Sequence, residues 1–176
     1  MRIERSQCIA VVVDYQEKLM PVMEEKNEIL KRSEILLAGL RILEVPICIT
    51  QQYTKGLGMT VPEITQAIGS EEYIEKIEFS SYGAISDVIE GKKYVIVCGI
   101  EAHICVLQTV IDLKAKGYLP ILVADCISSR KVQDKKIALK RARDEGVVLT
   151  TSESILFELL KKAGTQESKE IQKLIK

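Results

Sequence analysis

The feature that most constrains this chain is its regular alternation between short apolar, β-rich runs and segments with helical periodicity. The run at 8–14 (CIAVVVD) is apolar without a break until Asp14, as a strand buried on both faces requires. Further strands read at 45–50, with Pro46 at the start, and at 73–77, 94–98, 119–124 and 147–149. Between the first two, residues 24–43 set Ile29, Leu30, Ile35, Leu36, Leu40 and Leu43 at helical spacing. Other helices read at 63–68 behind Pro62, and at 84–90, 102–116, 132–145 (ended by Gly146), 152–162 and 169–175. A chain that repeats strand and helix in this way builds a doubly wound α/β sheet with right-handed crossovers.

The expected fold is a three-layer αβα Rossmann-like sandwich around a six-stranded, mostly parallel sheet of order 3-2-1-4-5-6. In that order strands one and four flank the point where the sheet reverses direction, and ligands of such sheets bind there, outside the carboxyl ends of the strands. The 176 residues contain no linker, repeat or low-complexity stretch, so 1–176 is expected to be a single domain.

Composition narrows the function by exclusion. Lys+Arg and Asp+Glu balance at 25 each, and no basic stripe is present, which argues against a nucleic-acid partner. The first apolar run is too short for a signal sequence or a membrane span, so no membrane association and a cytoplasmic location are expected. Of five cysteines, Cys8, Cys48 and Cys98 lie in apolar runs, as reduced core thiols do. The one histidine, His103, cannot make a His-rich metal site. No Gly-x-Gly-x-x-Gly follows the first strand and no phosphate-binding loop occurs, so nucleotide binding is discounted and no cofactor is expected.

Chemistry concentrates in YVIVCGIEAHICVLQTVIDLKAKGY (94–118). Cys105 falls where a helix begins, and unpaired N–H groups together with the helix dipole favour a thiolate there. Asp14, at the end of strand one, is placed to take the thiol proton. Lys76 is the leading candidate to support that charge, with Lys92 and Lys93 as competitors. Gln16, Gln52, Tyr53, Tyr82 and His103 are candidates for lining a substrate pocket.

DYQ (14–16), KIEFS (76–80) and GIEAHIC (99–105) resemble, in order and position, the three signature segments of the isochorismatase-like cysteine hydrolases. VPICITQQYTKGLGMTVPEI, ADCISSR and the tail EIQKLIK are similar to the isochorismatase domain-containing subgroup. The resemblance implies an Asp14, Lys76, Cys105 triad, a cis Ile100–Glu101 peptide and an oxyanion hole formed by the N–H groups of Glu101 and Cys105. It also implies a homo-oligomer, dimer or higher, acting on a small molecule. The nicotinamidases of the family bind a metal through Asp-x-His…His after strand two; here the chain reads QQYTKG, so no metal is expected. The expected function is metal-independent hydrolysis of a small amide, ureido or related acyl compound through a Cys thioester. The alternative is a non-catalytic protein on the same scaffold that binds a metabolite or senses redox state through Cys105.

Overall fold

In the computed structural model, which describes residues 1–176, six strands form one sheet: β1 (Cys8–Val13), β2 (Ile47–Gln52), β3 (Ile74–Lys76), β4 (Tyr94–Ile100), β5 (Leu119–Ser128) and β6 (Val148–Thr150). Their order is β3-β2-β1-β4-β5-β6, and every neighbouring pair is parallel, so the sheet is parallel throughout. The helices are α1 (Lys26–Ile42), α2 (Thr54–Leu57), α3 (Pro62–Ile68), α4 (Tyr82–Ile85), α5 (Leu107–Ala115), α6 (Val132–Asp144), α7 (Ser152–Leu160) and α8 (Gln166–Ile175).

Side-chain alternation along β1 creates the layers. Cys8, Ala10 and Val12 pack with Leu36, Leu37 and Leu40 of α1 and Ile155 and Leu156 of α7. Ile9, Val11 and Val13 face the other way, onto Ile85 of α4, Val110 and Leu113 of α5 and Ala138 of α6. All six residues of β1 are buried, and burying a Val or Ile side chain contributes roughly 1.5–3 kcal/mol, so this strand anchors both halves of the core.

Gly99 shows how tightly β1 and β4 meet. It is the register partner of Val13, its φ is +137°, and a Cβ there would lie 2.1 Å from the Val13 carbonyl oxygen. Backbone cannot yield as a flexible side chain does. Gly99→Ala is therefore expected to destabilise the fold by on the order of 3 kcal/mol or more, read as a lower urea midpoint.

Three local features depart from the periodicity. The helix expected from 102 opens as a π-helical turn, Ala102–Val106, in which the Val106 N–H reaches back to the Glu101 carbonyl at 3.2 Å; regular α5 follows. Strand β5 runs on to Ser128 through a bulge, advancing from Leu122 to Ile127 while β4 advances only from Val97 to Gly99. The excess chain turns Asp125 outward, where its carboxylate accepts from Ser152 N at 2.8 Å and Ser152 Oγ at 2.6 Å at the start of α7. The helix expected at 84–90 shrinks to α4 and is followed by turns that bury Ile89.

Candidate active site

The carboxyl ends of β1, β3 and β4 bring Asp14, Lys76 and Cys105 together. Asp14 follows the last residue of β1 in a left-handed conformation, φ +54°, and its N–H continues the β1–β2 ladder to Thr50 O at 3.2 Å. That conformation is uncommon for a residue with a Cβ. Lys76 ends β3 and sends Nζ to Asp14 Oδ2 at 2.7 Å, with both side chains fully enclosed. The same ammonium reaches Gln52 Oε1 at 2.7 Å and the carbonyls of Glu78 and Phe79 at 3.2 and 3.0 Å. Its three protons are thus shared among four acceptors, and segment 77–79 wraps around the charge. Cys105, 7% exposed in the π-helical turn, lies near enough to the Asp14 carboxylate for each to shift the titration of the other.

Electrostatics correct one sequence expectation. Burial, the Asp14 charge and the hydrogen bond to Asp14 push the Cys105 thiol up to about 12, with Lys76 opposing and Glu101 adding to the rise. Desolvation and a neighbouring carboxylate both disfavour the charged thiolate. The resting group is a thiol aimed at a base and not a preformed thiolate. Asp14 is itself raised from 3.8 by burial, against the pull of Lys76 and the hydrogen bonds from Lys76, Cys105 and Thr50.

The remaining candidates separate. Gln52 belongs to the site, since its Oε1 holds Lys76 while Nε2 donates to Ile77 O at 2.5 Å. Gln16 is fully buried and does not line a pocket: Nε2 donates to Gln52 O and Gly58 O, and Oε1 accepts from Gln52 N. Tyr53 stands half-exposed where β2 ends, its N–H bonded to Lys76 O at 2.9 Å. Tyr82 is not brought to the site; its ring lies 6.4 Å from that of Tyr118 and beneath Lys116, at the far end of α5. His103 Nδ1 lies 2.9 Å from Ser129 Oγ and Nε2 3.8 Å from Asp134, so the ring is tethered beside the π-helical turn. The Ile100–Glu101 peptide is cis. The Glu101 side chain turns back to accept from Arg130 N and Nε, both at 3.1 Å. No group of three or more His, Cys, Asp or Glu side chains stands close enough to hold a metal ion.

Periodicity missed Thr50, Ser81 and Thr109. All three are fully buried, and the Thr50, Ser81 and Thr109 hydroxyls together with the Ser81 N–H link Asp14 to the Cys105 carbonyl. The signal was present for Thr109, which stands four residues after Cys105 and so on the same helical face.

A parallel doubly wound sheet carrying a buried carboxylate, lysine and thiol at its switch point is the architecture of the isochorismatase-like α/β hydrolases. The isochorismatase domain matches residues 8–154, and the chain belongs to that family. Isochorismatase domain-containing protein 2A of Mus musculus is 38% identical over 179 residues, covering 99% of this chain and 85% of its own length. Isochorismatase domain-containing protein 1 of Danio rerio is 37% identical over 168 residues; the match takes in 93% of this chain but only 59% of that protein. Among solved structures, MAR1 ribonuclease from Caenorhabditis elegans superposes with a TM-score of 0.94 at 37% identity, covering 99% of this chain and 92% of that one. The YcaC product of Escherichia coli, described as an octameric hydrolase of unknown specificity, shares the fold with a TM-score of 0.86 at 19% identity, over 92% of this chain and 83% of that one. No helix is long and apolar enough to cross a membrane.

Proposed function

We propose that the chain is a metal-independent cysteine hydrolase that cleaves a small amide, ureido or related acyl compound. The observation that carries this reading is the enclosed Lys76–Asp14 pair, 2.7 Å apart, with the Cys105 thiol placed beside its carboxylate. Asp14 takes the thiol proton as Cys105 Sγ bonds to the substrate carbonyl carbon. The Glu101 and Cys105 N–H groups receive the oxyanion. The carbonyl re-forms, the C–N bond breaks, and Asp14 returns the proton to the leaving nitrogen. Water then attacks the thioester, giving its proton to Asp14 and from there to the departing sulfur. Lys76 keeps Asp14 charged between steps. A redox sensor calls for a thiol of low pKa, the reverse of what burial and Asp14 do to Cys105. The protein is further proposed to work as a homo-oligomer.

A panel of amides and ureido compounds assayed for ammonia release, with peptide mass spectrometry at Cys105, tests the reading. Ammonia together with an acyl adduct on Cys105 is expected; turnover with no adduct on quenching and no dependence on Cys105 overturns it. Because Asp14 must be ionised to act, activity is expected to rise with pH along a limb lying above the ordinary aspartate value of 3.8.

One observation favours a second reading. The worm protein that shares 37% of its residues with this chain is described as a ribonuclease. Degradation of single-stranded RNA by the wild type, lost in Cys105→Ala, would put phosphodiester cleavage in place of amide hydrolysis.

A further inference from the structure

Ser81 connects to all three members of the site. It follows the 77–79 segment that wraps Lys76, and its N–H donates to Thr109 Oγ1 at 2.8 Å. Thr109 Oγ1 in turn donates to the Cys105 carbonyl at 2.7 Å. On the other side, Ser81 Oγ lies 3.1 Å from Thr50 Oγ1, which lies 3.2 Å from Asp14 Oδ1. Ser81, Thr50, Thr109 and Asp14 are all fully buried, so no bulk water completes these bonds.

The direction of the chain follows from proton counting. An ionised carboxylate only accepts, so the Thr50 hydroxyl donates to Asp14 Oδ1. Its single proton is then committed, and the Ser81 hydroxyl is the donor in the Ser81–Thr50 bond. Each donation increases the polarity of the next. The other groups that face Asp14 are Lys76 Nζ, on Oδ2, and the Cys105 thiol; the Glu101 carboxylate acts on Cys105.

We infer that Ser81 and Thr50 form an oriented hydroxyl relay that holds the Asp14 carboxylate towards Cys105 and sets the pH at which it can accept the thiol proton. They are positioning residues, acting on the reaction only through Asp14. The Val12 carbonyl, 3.5 Å from Thr50 Oγ1, is the competing acceptor to which Thr50 can turn when Ser81 no longer fixes its proton. The inference rests on Asp14 as the base for Cys105, but not on any amide being turned over.

The test is the pH dependence of Cys105 alkylation by iodoacetamide, read peptide by peptide by mass spectrometry on the whole chain. It needs no substrate, so it can fail or succeed independently of the amide assay. Removing a hydrogen bond to the charged form of a carboxylate raises its pKa. Thr50→Val is expected to move the acid limb of Cys105 alkylation upward by about one pH unit. Thr50→Ser should restore the wild-type limb, which a simple packing role would not do. Ser81→Ala should move the limb in the same direction but less far, and it supplies the reading if Thr50→Val does not fold. Folded Thr50→Val and Ser81→Ala variants whose limbs coincide with the wild type would overturn the relay.

Discussion

Cys105→Ala is expected to lower turnover of any amide substrate by a factor on the order of 10⁴ or more, while leaving a folded protein. The size follows from the nucleophile having no substitute: the other four cysteines are buried and belong to the hydrophobic clusters of the two faces. Burial raises all four thiols, as it does Cys105, but among the cysteines only Cys105 acts on the Asp14 carboxylate, so the others have no comparable base to take the proton. The fold should tolerate the change, because one small atom is removed at a site that is 7% exposed and packing on either side of it is untouched. Thermal melting within about 1 kcal/mol of wild type is expected. Cys105→Ser would keep a proton for Asp14 yet lose most of the rate, since a hydroxyl is a weaker nucleophile than a thiol. Full turnover by the alanine variant would sink the mechanism.

Lys76→Met is expected to be the most damaging single change to stability at the site. It strips a buried carboxylate of its cation and leaves Gln52 Oε1 and the Glu78 and Phe79 carbonyls without their shared donor. Breaking a buried pair on one side costs roughly 3–5 kcal/mol. The deficit should depend on pH in a definite direction. Burial already raises Asp14 above 3.8, and Lys76 is the main force opposing that rise. Without the lysine the folded-state value climbs further above the unfolded one. The folded variant then binds a proton more readily than the unfolded chain, and gains stability relative to it as pH falls. Urea unfolding at neutral and mildly acidic pH should show a large deficit at neutrality that narrows in acid. A deficit independent of pH would mean that Asp14 is not the group left exposed to the loss.

The central strands were legible because their apolar runs are long and unbroken: all seven residues of β4 and all six of β1 are buried, so their sequences carry little else. Asp14 stands just where the apolar run of β1 stops, whereas Lys76 and Cys105 were picked out by the KIEFS and GIEAHIC segments; the fold brings the three side chains together. The bulge in β5 was not, since Asp125 breaks the pattern for a reason outside its own strand, the start of α7. The rise of the Cys105 thiol was hidden from the sequence for a similar reason. The start of a helix can be seen in a sequence, whereas desolvation by α5 and the closeness of Asp14 exist only after folding. Tyr82 was a candidate for lining the pocket, but α4 directs it along α5 and away from the thiol. Gln16 and Gln52 are similar in the sequence and diverge in the structure, one clamping backbone and the other holding Lys76.

Loop 53–60, which follows β2 on the site's rim, is held at nearly every step. Gln16 Nε2 donates to Gly58 O, Glu17 Oε2 accepts from Met59 N, and Lys18 Nζ donates to Gly56 O. Gln51 Oε1 accepts from both Thr60 N and Thr60 Oγ1. On the proposed mechanism, a loop tied down in this way would present a fixed rim to an incoming molecule, with Tyr53 half-exposed upon it. Exchanging Tyr53 would then be expected to change which molecules are accepted while the Lys76–Asp14 pair beneath stays intact, so that one scaffold could serve many small-molecule tasks.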